Sequence, residues 1–537
     1  MNIYLYYRTY WGDPKSVGMS GRNILAKNKI ELVTTTIKSL ELNTISKIRT
    51  CACVDLSTQA YTNFLEEKFD EVFHTSEGFD VNDNGYLEFN GLDLKAIIEK
   101  HGTPLKLTYL PKIGMQINKA KKMFADAFKK HKYEGQYFYC YCTKSSHFSF
   151  VVEEALSHGV HLETSYAYDI EIINQLYKRR KINKDIFVIC NGYKQKTYTS
   201  RITKLINSGF KNVIPVLDNV EELQFYKRNA KQPFKVGIRV AAEEEPSFPF
   251  YTSRLGIRAK DILEFYVDEI EGYEDKFQLK MLHIFLNKGI KDDIYYWSEL
   301  NKIINLYCQL KKICPELDSI NIGGGFPIKH SLGFEYDYSF MINEIVSNIK
   351  KACKKAKVPM PNIYTEFGSY TVGESMAHIY KVLAEKKQND RECWYMIDSS
   401  FITTLPDTWG IGEKFLMLPV NKWENDYQRV VLGGITCDSH DYYDSEEHIN
   451  EVFLPKLKDA EKGDKVEENS ESLYVGFFHT GAYQDQISGY GGIKHCLIPS
   501  PKHVIVEKDP KTGKLVDWVY AKEQSAQSML KILGYLR

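Results

Sequence analysis

The sequence predicts an α/β protein built on a (β/α)8 TIM-type barrel, with a C-terminal β-domain behind it and a small N-terminal α/β extension ahead of it. Three observations predict this. From residue 137 to 372, short β-rich runs alternate with helical stretches of about 10–15 residues, the pattern of parallel βα units. Seven or eight such units in about 230 residues suit a closed barrel better than an open sheet. From residue 373 onward the runs are strand-like with long turns between them.

Residues 1–76 open as strand, helix, strand, helix, strand: "NIYLYYR", "NKIELVTTTIKSLE", "KIRTCACVD", "TQAYTNFLEEKF" and "DEVFHTS". This is a small α/β module to which the sequence assigns no role. "GFDVNDNG" (78–85) combines Asp, Asn and Gly as a loop does and marks the first boundary. Residues 77–136 form a lead-in to the β-domain and the barrel, with an amphipathic helix over 114–131. The barrel strands then follow as "YFYCYCTK", "DIFVICNG", "NVIPVLD", "FKVGIRVA", "LKMLHIFL", "LDSINIGGG" and "PNIYTEFG". In the β-domain, 373–537, "AHIYKVLAEKKQ", "WYMID", "KFLMLPV", "QRVVLGG", "SLYVGFF" and "KHVIVEKD" are strand-like, and the charge run "KLKDAEKGDKVEENSES" is a solvated insertion.

At 537 residues, 43% hydrophobic and 26% charged, the chain can build several buried cores, and wholesale disorder is excluded. Lys+Arg and Asp+Glu balance at 70 each, which gives no electrostatic case for nucleic acid or an anionic membrane. No apolar run reaches the roughly 20 residues of a membrane helix. The start, "MNIYLYYRTYWGDPKS", lacks the parts of a signal peptide, so a cytoplasmic protein is expected. The 11 cysteines are scattered without zinc-ribbon spacing and read as reduced thiols.

In a barrel of this kind, chemistry sits at the carboxyl ends of the strands. Lys144, Asn191, Gly323, Gly324, Gly325 and Glu366 each fall just beyond a predicted strand. Three consecutive glycines either make a turn with positive φ or let the backbone approach an anion. Lys144 ends "YCYCTK", where a surface lysine is the ordinary case; at a barrel mouth, its amine could form a Schiff base with a carbonyl cofactor. Glu366 in "IYTEFG" is a solvated loop acid or a partner for a ring nitrogen. An amine, a carboxylate for a pyridine nitrogen and a phosphate nest together describe pyridoxal 5′-phosphate.

Over roughly residues 80–537 the chain resembles the fold-type III (alanine-racemase-like) pyridoxal-phosphate-dependent decarboxylases, and within them the biosynthetic arginine decarboxylase branch. The resemblance is carried by "YCTK" followed by "VVEEAL", by "ICNGYK" (189–194), "NIGGGF", "TEFG" (365–368), "TTLPDTWGIGEKF" (403–415), "GGITCDSHD" (433–441) and "GAYQ" (481–484). It implies that Lys144 carries the cofactor, Glu366 keeps the pyridine nitrogen protonated, and Gly323–Gly325 with Tyr483 hold the phosphate. It implies further that Cys437 protonates Cα, that Asp438 and Asp407 receive the distal cation of the substrate, and that the Cys437–Asp438 loop enters a partner subunit's site in a homodimer. The activity implied is decarboxylation of a basic L-amino acid, L-arginine to agmatine and CO2 on the way to polyamines. Ornithine, lysine, diaminopimelate and carboxynorspermidine decarboxylases share the fold, as do non-catalytic regulatory relatives. The branch often requires Mg2+, for which the sequence offers no dedicated carboxylate cluster.

Two departures stand out. Where the family has His-x-His-x-Gly-Ser, this chain has "LHIFLNKGI" (282–290): His283 matches the first histidine, but Phe285 replaces the one that stacks on the cofactor ring. In "EFGS", Ser369 replaces an arginine that pairs with the phosphate, and Lys288, Arg254 and Arg258 are candidate substitutes for its charge.

Overall fold

The apolar strands and amphipathic helices that alternate from residue 137 close into one parallel barrel. The computed structural model describes residues 51–54, 71–74, 78–242, 254–286, 293–329, 334, 336–443, 452–457 and 471–537. In chain order the barrel strands are Tyr137–Cys142, His161–Thr164, Phe187–Cys190, Asn212–Leu217, Phe234–Arg239, Phe277–His283, Ser319–Asn321 and Asn362–Phe367. The eighth pairs with the first, Glu366 opposite Cys140, and the ring has no open edge. Seven of these strands coincide with the apolar runs of the sequence. His161–Thr164 is the eighth, and its four residues are too short and too polar to register as a run.

Side chains alternate along a strand, so every second residue points into the barrel. Cys140, Ile189, Ile214, Val216, Met281 and Tyr364 meet there as one apolar plug, with Phe138 stacked on Tyr364 at 4.5 Å between ring centroids. Two residues further along the strands, the inward positions turn polar. That polar layer is the floor of the site described below.

The helix Pro111–His131 precedes the first strand and lies against the helices Ser149–Ser157 and Tyr338–Ala356. Its Ile113, Ile117, Ala120, Phe124 and Ala127 recur at helical spacing and are buried. It occupies the gap in the outer ring that seven intervening helices would leave.

The second unit is a ten-stranded sheet. Its strand Leu105–Tyr109 comes from the lead-in and lies between Met376–Lys387 and Lys502–Lys508, pairing antiparallel with the first and parallel with the second. Leu105, Leu107, Ala377, Ile379, Phe478, Val504 and Val506 pack there with a hairpin, Phe79–Val81 and Leu87–Phe89. Of the loop expected at 78–85, Phe79–Val81 is instead a strand of that hairpin, and Asn82–Gly85 supplies its turn, with Gly85 at φ 75°. "TTLPDTW" falls in the short helices Phe401–Thr404 and Pro406–Gly410, the proline opening the second. In the N-terminal module, Cys51–Val54 and Glu71–His74 pair in parallel; its other expected elements lie outside the described residues, as does most of the charge run.

Candidate active site

At the carboxyl end of the barrel the inward layer changes from apolar to polar in one step. It holds Glu163 on the second strand, Asn191 just past the third, Arg239 on the fifth, His283 on the sixth, Asn321 on the seventh and Glu366 on the eighth; Asn191, His283 and Glu366 stand two positions after Ile189, Met281 and Tyr364 of the plug. Glu366 is 4% exposed, so its charge needs partners. Its Oε1 accepts from Asn191 Nδ2 at 2.9 Å and Asn321 Nδ2 at 2.6 Å, and its Oε2 from His283 Nε2 at 3.1 Å. Burial pushes the carboxyl's pKa up, but His283, Lys144 and Asn191 outweigh burial and hold it at about 2. Three of the roughly four acceptor positions of a carboxylate are used, which leaves one on Oε2.

Lys144 lies in a single helical turn, Thr143–Ser145, directly after the first strand. Its Nζ donates to Glu163 Oε2 at 3.0 Å, and Glu163 is fully buried. Burial alone would lower the amine's pKa; the Glu163 carboxylate opposes it and, with Cys142 and Glu366, holds the amine well above its ordinary range. Glu163 Oε1 accepts from Asn191 Nδ2 at 3.1 Å and Ser165 Oγ at 3.0 Å. Asn191 therefore bridges Glu163 and Glu366, and the two carboxylates form one network around the lysine.

The three glycines fill a place where side chains do not fit. A Cβ on Gly323, at φ 68°, would sit 2.6 Å from the carbonyl oxygen of Ile284, and one on Gly324 would sit 2.4 Å from that of Glu366. Gly325 has φ 90°. The loop is thus a close-packed turn whose Gly323 carbonyl accepts from the Glu366 amide at 2.8 Å.

Tyr483 reaches the same mouth from the sheet unit. Its backbone is left-handed, φ 68°, and its N–H donates to Ser145 O at 2.9 Å. Its hydroxyl sits beside Ser369, and burial pushes the phenol up to about 12 against the pull of Lys144. Gln484, next in the chain, donates from Nε2 to Asp407 Oδ2 at 2.8 Å. Asp407 is thereby tied to the Tyr483 turn, and burial raises its carboxyl's pKa against that bond. Phe285 is 37% exposed, with the Arg239 guanidinium 5.5 Å from its ring centroid. Lys288 lies outside the described residues.

The structure brings Lys144, His283, Phe285, Gly323–Gly325, Glu366 and Tyr483 to one mouth. Cys437 and Asp438 form a second cluster: Cys437 Sγ lies 3.4 Å from Cys496 Sγ, and Asp438 Oδ1 accepts from the His440 amide at 2.8 Å. Glu163 and Arg239 are site residues outside every motif, and Asn321 is the first residue of "NIGGGF", of which only the glycines carry an expected role. The signal that finds them is register, each lying two positions beyond an inward residue of its strand.

The donor set of the mouth fits a pyridoxal phosphate. Arg239 Nε and His283 Nδ1 are buried without a hydrogen-bond partner, as is the acceptor Asn191 Oδ1; a bound group with anionic oxygens and a polar N–H or O–H would supply both kinds of partner. An ionised, buried carboxylate with one free acceptor position suits a protonated ring nitrogen. An amine lies at the same mouth for a carbonyl.

Comparison with known proteins agrees with this geometry. Residues 114–373 match the family model described as pyridoxal-dependent decarboxylase, pyridoxal binding domain. The chain is 25% identical to a biosynthetic arginine decarboxylase of Phocaeicola vulgatus, over 86% of this chain and 89% of that one. It is 21% identical to biosynthetic arginine decarboxylase 2 of Synechocystis sp., over 83% and 84%. Among solved structures, the biosynthetic arginine decarboxylase of Campylobacter jejuni superposes with a TM-score of 0.70 at 20% identity, over 86% of this chain and 89% of that one. A diaminopimelate decarboxylase of M. jannaschi gives 0.69 at 17%, over 86% and 98%. These two structures share the barrel and the sheet unit.

Proposed function

We propose that this protein decarboxylates a basic L-amino acid, L-arginine foremost, to give agmatine and CO2, a reading supported by the match of residues 114–373 to the pyridoxal binding domain of pyridoxal-dependent decarboxylases. The observation that carries the reading is the buried Glu366, held ionised at about 2 beside the Lys144–Glu163 pair. A buried carboxylate kept charged in the polar layer above the apolar plug is costly and calls for a cationic partner. The relatives that span most of the chain support arginine as the substrate.

When bound, pyridoxal phosphate supplies an electron sink for the pair released as CO2 leaves. The residues have separable tasks around it. Lys144 would hold the cofactor carbonyl and yield it to the substrate amine. Glu163 would take the charge of the lysine when its amine is free, and Glu366 would keep the ring nitrogen protonated. The Gly323–Gly325 turn and Tyr483 would seat the phosphate. Arg239, with its Nε unsatisfied, is a better placed substitute for the arginine missing at Ser369 than Arg258, whose Nε is paired with Asp261 at the surface. Phe285 would cover one face of the ring. Asp407 and Asp438 would receive the guanidinium, for which a bidentate carboxylate is the natural partner. Cys437 Sγ would return a proton to Cα. Its cluster lies apart from the Lys144 mouth, so the thiol would act in the site of a second copy, in a head-to-tail homodimer. Polyamine synthesis in the cytoplasm is the setting this activity suits, and no helix among the described residues is long and apolar enough to cross a membrane. Among the described residues, the cluster of metal-ligand type offers thiols and imidazole, not the oxygens Mg2+ requires.

The test is an absorbance spectrum of the protein with added pyridoxal phosphate, then borohydride reduction with peptide mapping, and CO2 release from L-arginine, L-ornithine, L-lysine and meso-diaminopimelate. A pyridoxyl adduct on Lys144 with release from arginine is the expected result. An adduct without release from any of the four removes the substrate assignment. No adduct removes the cofactor and leaves a regulatory relative.

A further inference from the structure

Cys437, His495 and Cys496 come from two loops of the sheet unit, the cysteines 59 positions apart in the chain. One ligand atom from each lies within 4.8 Å of the other two, and all three side chains are exposed. The sulfurs are 3.4 Å apart, well beyond the roughly 2.05 Å of a disulfide bond. Two thiolates on one tetrahedral zinc, with Zn–S bonds of about 2.3 Å, stand roughly 3.7 Å apart. The observed spacing is close to that.

Both loops are held from behind. On the Cys437 side, Thr436 donates through N and Oγ1 to Asp441 Oδ2 at 3.1 and 2.7 Å, and the Gly434 amide bonds Asp441 O at 2.8 Å. On the other side, Lys494 Nζ donates to Thr403 O at 3.0 Å and Ser488 O at 3.2 Å. Cys496 and Leu497 are both left-handed, φ 53° and 55°, though neither is glycine. Two such residues in sequence are backbone strain, which persists where the surroundings impose it. Here it turns Cys496 toward Cys437. Asp438 Oδ2 lies 4.0 Å from His495 Nε2, which puts a carboxylate charge beside the cluster without a hydrogen bond to it.

We propose that Cys437, His495 and Cys496 bind a borderline-soft divalent cation of the zinc class, with the fourth position open to water or to Asp438. Two thiols and one cation give a dithiolate complex and two released protons. The third ligand separates this from a disulfide, which two cysteines alone would make. A consequence rests on the proposed role of Cys437: a metal-bound thiolate has no proton to return to Cα, so the cation would act as a reversible off-switch that a chelator relieves.

The experiment uses the full-length, reduced protein loaded with pyridoxal phosphate and titrated with zinc against a chromophoric chelator. Cobalt is used in parallel to report thiolate ligation by its charge-transfer absorption. Wild type should take one zinc per chain. His495→Gln and Cys496→Ser should each weaken binding by about tenfold or more while keeping cofactor uptake and CO2 release. Their unchanged uptake shows that they fold. The metal is read directly, so the result stands whatever Cys437 does in catalysis. No zinc held against the chelator would overturn the proposal, as would undiminished binding in both variants or isolation of the two thiols as a disulfide.

Discussion

Glu163 sets the charge state of Lys144, and its removal can be read without any assay of turnover. Only a neutral amine attacks a carbonyl, so cofactor uptake should rise with pH through the lysine's pKa. Burial lowers that pKa and Glu163 raises it; Glu163→Gln should therefore shift the uptake-rate profile to lower pH, measured as the growth of the cofactor's visible absorbance. Glu366 makes the opposite kind of statement. Its folded pKa of about 2 lies below the 4.5 of a free glutamate, so it adds stability above pH 4.5 and loses it as pH falls toward 2. His283→Leu leaves Oε2 without its partner, raises that pKa, and should move the acid-unfolding midpoint to higher pH. Glu366→Gln should keep the adduct on Lys144 but lower kcat by about 10²–10³. Lys144 and Glu366 were legible because each stands at the end of a long apolar run, and His283 because it matches a histidine of the family motif inside one. Glu163 was not, because "HLET" has no run to end.

Among the elements, the turn after the third barrel strand shows how a family motif can be structural. In "ICNGYK", Lys194 is buried, donating to Val216 O at 2.6 Å and pairing with Glu222 at 3.0 Å. Lys194→Met would strand the Glu222 carboxylate and should cost about 3–5 kcal/mol by denaturant unfolding, partly recovered by adding Glu222→Met. The glycine turn is equally unforgiving. Gly324→Ala forces its Cβ against the Glu366 carbonyl and should cost about 1–3 kcal/mol and loosen cofactor retention in gel filtration. The sequence could place glycines there but not say what they avoid, since the Ile284 and Glu366 carbonyls are remote in the chain.

For the whole molecule, the barrel was legible and the sheet unit only half so. Barrel strands follow one another, whereas Leu105 pairs with Lys502 across nearly the whole described chain, and such pairing leaves no local pattern. The same pairing couples the units. Leu105–Tyr109 runs into the helix Pro111–His131 of the barrel wall, and the Tyr483 amide is bonded to Ser145 beside Lys144. Scanning calorimetry is expected to show one transition for the two units, and two resolved transitions would contradict that coupling. The interleaving also bears on how the chain is made. A ribosome completes the barrel strands before it has synthesised Lys502–Lys508, so the lead-in strand must wait, one edge bare, until that later strand emerges. Nascent chains stalled ahead of residue 502 should engage chaperones through that edge and retain no cofactor. Arrival of that one strand would be the step that makes the chain a protein able to do chemistry.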